Sequence, residues 1–217
     1  MACFRALMIP TQREIDQIAE YADASVRTAT RRGSLAPIKG RHGVNAWLYK
    51  KWGNRGNAIY TFTGGLVTIA LSGALAWLLE EPLVFPSLGA TAFLFFETPM
   101  AEVASPRNTL TGHYVGAAIA FFWLFVFGLA DAPSALEEGF TLERAAAVAL
   151  SVGCTGGVLR LMRAAHPPAG ATTVIVSAGL LTSGDELLAL AAGVGLLTLS
   201  AGALNRLLGV PAPRWAA

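Results

Sequence analysis

The chain has 217 residues, of which 54% are hydrophobic and 14% charged, whereas a soluble domain carries about 25% charged residues. That balance excludes a soluble enzyme with a polar shell and points to a membrane protein of one domain. The net charge of +2 hides an asymmetry, because most of the Lys and Arg precede residue 56. The imbalance bears on membrane orientation, and nucleic-acid binding is excluded for want of a basic face.

Residues 1–57 form a basic amino-terminal region assigned to the cytoplasm. Within it, residues 12–23 predict a short amphipathic helix, and residues 31–41 are punctuated by Gly and Pro. A tail or a surface-lying helix among lipid headgroups fits this composition. Lys50, Lys51 and Arg55 cluster before the first apolar span, residues 58–79, which is long enough to cross a bilayer core of roughly 30 Å. Residues 83–96 form a shorter apolar segment with Pro and Gly, and a polar stretch follows at 97–111.

The next span, 114–130, carries Phe121, Phe122, Trp123, Phe125 and Phe127, expected to face lipid or a neighbouring subunit. An acidic loop, 131–143, leads to a span at 145–161, whose Gly153, Gly156 and Gly157 suit close helix packing. A second short motif helix is predicted at 168–181 and a last span at 187–208. Residues 209–217 form a carboxyl-terminal tail. Cys3 and Cys154 stand far apart, so neither a disulfide framework nor a metal site is expected. No cofactor and no secretory leader are expected either.

The two short segments repeat one another. Pro86, Gly89, Ala90 and Thr91 align with Pro167, Gly170, Ala171 and Thr172, giving Pro-x-x-Gly-Ala-Thr twice. Proline favours the first turn of a helix, so each copy reads as a helix start. The order span, motif helix, span occurs twice, within about 58–130 and 145–208. If all six segments cross, the acidic loops lie outside and Arg107, Arg160, Arg163, Arg206 and Arg214 inside, with Arg144 alone misplaced. Three crossings per repeat make the halves an inverted pair, with short or broken motif helices near their interface. The expected fold is therefore an all-α membrane protein of six transmembrane segments in two inverted three-helix repeats, with both termini cytoplasmic.

Helix starts carry unpaired amides and about half a positive charge, and they attract anions. Two of them meeting at one centre would offer amides at Gly89 to Thr91 and Gly170 to Thr172, with hydroxyls from Ser87, Thr91, Thr172 and Thr173. A small monovalent anion requires little more, so passage of such an anion is the expected function. Replacing Gly89 or Gly170 with valine is expected to abolish it. His166 either carries a proton with the anion or caps the second helix. His113 is an interfacial or functional residue at the opening of its span. Arg160 and Arg163 set topology or form a basic vestibule. Nucleotide loops and zinc-protease helices are missing from the sequence, which leaves an intramembrane hydrolase using Ser87 or His166, or a structural membrane protein, as the alternative.

The run Phe85-Pro-Ser-Leu-Gly-Ala-Thr-Ala, the segment Ser105-Pro-Arg-Asn with Gly112-His113, and His166-Pro-Pro-Ala-Gly-Ala-Thr resemble the HPP family of integral membrane proteins. The likeness covers about residues 58–208. It implies an integral membrane protein, some of whose relatives are associated with nitrite transport, and so a bacterial inner membrane and a small inorganic anion as partner. It extends to Pro86, Gly89, Thr91, Arg107, Asn108, His113, His166, Pro167, Pro168, Gly170 and Thr172. Descriptions of that family count four spanning helices, two fewer than the charge pattern predicts. Small-residue faces and the aromatic span permit a homo-oligomer.

Overall fold

A computed structural model describes residues 41–216, and these are helical without a strand. The amphipathic helix expected at 12–23 lies outside the described residues. Nine elements follow one another. Helix α1 is Gly43–Trp52, α2 Asn54–Leu79 and α3 Pro86–Glu97, followed by a 3-10 turn at Glu102–Ala104. Helix α4 is Pro106–Val126, α5 Ala135–Glu138, α6 Leu142–Leu161, α7 Ala169–Ser177 and α8 Gly184–Leu207.

Four helices, α2, α4, α6 and α8, are long and apolar enough to cross a membrane. The 12-residue α3 and 9-residue α7 rise only about 18 and 14 Å, short of a bilayer core. Full-length helical crossings by these two segments are therefore not present. An extended stretch at 82–85 leads into α3, and a turn at 162–168 leads into α7.

Local chemistry accounts for most boundaries. Ser105 accepts the amide of Asn108 and Pro106 takes the first position of α4, a paired start signal. That start lies upstream of the expected 114, because the cap outweighs the polarity of Arg107 and Asn108. Thr141 accepts the amide of Arg144 at the start of α6. Ser183 and Glu186 form a capping box that opens α8. The expected acidic loop at 131–143 holds its own short helix, α5, opened by a second box from Ser134 and Glu137. Helix α1 was not among the expected elements, and it packs on α2.

Small and polar side chains line part of the interior beside an apolar core that includes Leu88, Phe95, Phe96, Leu124 and Leu197, and many other large apolar side chains face outward. Helix α2 buries Gly56, Tyr60, Gly64, Thr68 and Ser72 at four-residue spacing. It exposes Phe62, Leu66 and Trp77. The hydroxyls of Thr68 and Ser72 donate back to the carbonyls of Gly64 and Thr68, so they cost little in an apolar medium. Phe122 and Phe125 face outward as expected. Gly153, Gly156 and Gly157 do not mediate packing, since a Cβ there would meet nothing within 4 Å. Close approach is made instead at Gly64, whose Cβ would overlap the Phe96 ring, and at Gly193, where it would lie 2.5 Å from the carbonyl of Leu83.

Packing is reciprocal. Helix α3 rests on α2 and α8, α7 rests on α6 and α4, α4 meets α8, and α3 meets α7. At one end of the bundle, here the α1 end, Tyr60 donates to Asn205 Oδ1 at 2.5 Å, and Asn205 Nδ2 donates to the carbonyl of Phe95 at 2.9 Å. The Val44 amide donates to Leu208, and the Arg107 amide to Trp215. The start of α2, the ends of α3 and α8, and the start of α4 therefore gather there. At the α5 end, the Ala135 amide donates to Ala178, just past α7.

Tyr60 is 3% exposed and Asn205 is fully buried. Tyr60→Phe leaves the Asn205 oxygen unpaired, and the expected cost is about 2 kcal/mol. Thermal unfolding in detergent measures it, and an unchanged midpoint contradicts the bond.

Candidate functional site

The two short helices converge on one histidine. Helix α4 presents His113, fully buried, two turns inside its amino-terminal end. Its Nε2 lies 3.0 Å from Thr91 Oγ1 of α3, and its Nδ1 lies 2.7 Å from Thr172 Oγ1 of α7. Thr91 and Thr172 are the equivalent threonines of the two Pro-x-x-Gly-Ala-Thr copies, so the repeat is used at a single point. His166 closes the group. Its Nε2 is 3.2 Å from His113 Nε2 and 3.4 Å from Thr91 Oγ1, and its Nδ1 donates to the carbonyl of Val103 at 2.8 Å.

Glycines make the approach feasible. A Cβ on Gly112 would lie 2.8 Å from His166 Cβ, and one on Gly116 would lie 2.6 Å from Thr173 Oγ1. The rings of His113 and His166 meet edge to face, with centroids 4.9 Å apart. Arg163 precedes the motif in a left-handed conformation, φ 50°, unusual for a side chain of its size. That bend is held from α4: Arg107 Nη2 and Nη1 donate to the carbonyls of Met162 and Arg163 at 3.0 Å each. Asn108 Nδ2 donates to the carbonyl of Ala165. Arg107 and Asn108, expected at the substrate, brace the turn that precedes α7 through backbone carbonyls.

The remaining expected residues scatter. Pro86, Ala90 and Pro167 are exposed, Gly89, Gly170 and Ala171 are half-buried, and Pro168 is buried. Thr173 donates to the Ala169 carbonyl at 2.9 Å, and its Oγ1 lies 3.2 Å from Thr155 Oγ1. Ser87 is fully buried, and its hydroxyl has no partner. It therefore bonds to neither histidine.

Two expectations are corrected. Free amides at the start of α7 are not offered, because those of Ala169, Gly170 and Ala171 donate to the carbonyls of His166, Pro167 and Pro168 at 3.0, 3.0 and 3.1 Å. The Pro-Pro turn winds tightly enough to consume them. In α3, Ala90 and Thr91 lie past the first turn, whose amides alone lack helical partners. The motif helices meet through side chains. His113 is also not interfacial, since it is fully buried among α3, α4 and α7.

Sequence reading missed Gly116, Thr155 and the Val103 carbonyl. Gly112 and Gly116 do carry a signal, the four-residue spacing of small residues that lets helices touch. Val103 contributes only backbone, which no side-chain pattern reveals.

Two cavities approach the centre from the α1 end. The first, about 330 Å³, is lined by Glu102, Val103, Asn108, Leu159, Arg160, Arg163 and Ala165. The second, about 260 Å³, is lined by Val152, Thr155, Gly156, Leu159, Arg160, Ala165, His166, Pro167 and Gly170. They share Leu159, Arg160 and Ala165, so the two adjoin, and His166 is among the residues lining the second. Among the described residues, no group of His, Cys, Asp or Glu could hold a metal ion.

A family model described as HPP, transmembrane region, matches residues 51–213. Two transmembrane proteins of Dictyostelium discoideum are similar. One is 28% identical over 120 residues, 55% of this chain and 39% of its own length. The other is 30% identical over 115 residues, 53% of this chain and 34% of its own. The matched part is thus well under half of either relative. No solved structure matches the chain.

Proposed function

The chain belongs to the HPP transmembrane family, and on that premise we propose that it carries a small monovalent anion across a lipid bilayer, with nitrite as the first substrate to test. The observation that carries this reading is the vestibule of Arg160 and Arg163 leading to His166 and Gly170, beside a centre where both motif threonines bond to one histidine. Cationic side chains at the mouth concentrate anions. A buried polar centre among membrane-spanning helices is also where transport sites are commonly found.

An inverted repeat accounts for the packing. If α2, α3 and α4 correspond to α6, α7 and α8, each contact has its counterpart: α2 with α3 matches α6 with α7, and α3 with α8 matches α7 with α4. With the extended stretch before α3 and the turn before α7, the two short helices run in opposite directions, as broken crossings do in many transporters. Charge supports the orientation. Lys50, Lys51, Arg55, Arg107, Arg160, Arg163 and Arg206 stand at the α1 end, which is therefore assigned to the cytoplasm. Asp131, Glu137, Glu138, Asp185 and Glu186 stand at the other. Arg144, the exception, is 3% exposed and donates to the Pro133 carbonyl, so it acts as an internal staple and does not weigh on orientation. In a bacterium this membrane is the inner one.

The reading is that of a carrier and not an enzyme, since the unpaired Ser87 hydroxyl is not activated by either histidine. Its test is uptake into proteoliposomes, comparing nitrite, nitrate, formate, chloride and bicarbonate with and without a pH gradient. Gly170 lines the second cavity, and a Cβ on Gly170 or Gly89 meets nothing within 4 Å. Gly170→Val is expected to fold normally and lower uptake at least about tenfold, roughly 1.4 kcal/mol in the barrier. Gly89→Val, outside the cavity lining, is expected to fold equally well. Folded protein that moves none of these anions, or full uptake by Gly170→Val, refutes the reading.

A further inference from the structure

With the Thr91 hydrogen held on the Ser87 carbonyl, the hydrogen bonds around His113 and His166 permit one assignment of protons, and from it we infer that the pair is a binding site for a single proton, taken up with each anion. The inference deepens the anion-carrier reading and rests on it for the coupling, though not for the site itself.

The carbonyl of Val103 can only accept, so His166 Nδ1, 2.8 Å away, carries a hydrogen. In a neutral ring the opposite nitrogen, His166 Nε2, is then bare. His113 Nε2, 3.2 Å from it, must supply the hydrogen between them. His113 Nδ1 is then bare in turn and accepts from Thr172 Oγ1 at 2.7 Å. Thr91 spends its own hydrogen on the Ser87 carbonyl at 2.9 Å. It is left as an acceptor 3.0 Å from His113 Nε2 and 3.4 Å from His166 Nε2.

This arrangement has room for a single extra proton. Added at His113 Nδ1, it reverses the Thr172 hydroxyl from donor to acceptor and leaves every other bond in place. The hydrogen between the two Nε2 atoms can then sit on either ring, so the positive charge is shared, and Thr91 accepts in both cases. A second proton would set two N–H groups against each other across the 3.2 Å gap, which no rotation short of separating the rings relieves. The capacity is therefore one. The resulting charge of +1 lies beside the pocket that His166 shares with Arg160 and Gly170, where it offsets a monovalent anion in a medium that penalises unpaired charge.

The surroundings are otherwise neutral on the helices that grip the pair. Helices α3 and α7 face it with Thr91 and Thr172. Helix α6 brings Arg160 to the shared cavity, and Glu102 stands beside Val103 with Arg163 across the vestibule.

The experiment is nitrogen-15 magnetic resonance of histidine-labelled protein in proteoliposomes, with uptake measured on the same vesicles using an internal pH dye. Above neutrality, hydrogens are expected on His166 Nδ1 and His113 Nε2. On acidification one further hydrogen is expected, on His113 Nδ1. The reverse tautomers, uptake of two protons, or uptake of none overturns the site. Thr172→Val is expected to weaken proton binding roughly tenfold, and Thr172→Ser to restore it; equal proton binding in all three overturns the role of that hydroxyl. Anion uptake with no accompanying proton refutes the coupling while leaving the carrier reading intact. The expected spectra with no anion uptake support the proton site and refute the carrier reading.

Discussion

His113→Leu is expected to cost about 3 kcal/mol or more and to stop transport altogether. The side chain is fully buried, and its removal deprives Thr172 Oγ1 and His166 Nε2 of their partner and Thr91 of one. Leucine fills the volume but answers none of them, and a buried polar group left unpaired costs about 1–3 kcal/mol. The loss falls where α3, α4 and α7 meet, so it also loosens the joint between the two motif helices. His113→Gln returns polar atoms to the site and is expected to recover part of the stability without the transport. Thermal unfolding in detergent and proteoliposome uptake measure the two effects. A leucine variant that unfolds at the wild-type temperature would show that the joint contributes little.

Gly112→Val is the second change with a large expected effect. The added Cβ would lie 2.8 Å from His166 Cβ and 3.2 Å from Ala169 Cβ. Neither atom is the free end of a long side chain, so relief requires α4 and the α7 start to move apart. Forced overpacking of this kind costs about 3 kcal/mol, and here it also lengthens the bond between the histidines. The expected result is a destabilised protein without uptake. Gly153→Val provides the control, because a Cβ there meets nothing within 4 Å on an exposed position of α6. Equal stability of the two variants would refute the close contact at Gly112.

Much of the helical plan could be read from the chain. The long apolar runs became α2, α4, α6 and α8 because few polar groups interrupt them, and the repeated Pro-x-x-Gly-Ala-Thr marked α3 and α7. Boundaries were harder. Helix α4 begins at Pro106 and not near Tyr114, since the Ser105 cap and Pro106 allow a helix through residues whose polarity suggested a loop. The short helices are legible as motifs but not as contacts. Thr91 and Thr172 align in sequence, yet nothing in their spacing places His113 between them. The expected anion cradle failed for a related reason: sequence shows where a helix begins, but not that the turn of Pro167 and Pro168 already occupies its first donors. Glycine gave a mixed signal. Gly112 and Gly116 mediate contact while Gly153, Gly156 and Gly157 face outward, and composition alone does not separate the two groups.

The reciprocal seating of the short helices bears on how the chain is assembled. Helix α3 leans on α8 and α7 on α4, so each half holds the wall against which the other half's short element closes. Made alone, the second half would leave Thr172 without His113, its partner on α4. Cutting the backbone in the loop around α5 and co-producing both fragments should rebuild the whole, whereas each fragment by itself should be cleared by proteolysis, as expected of two jaws that have no bite singly.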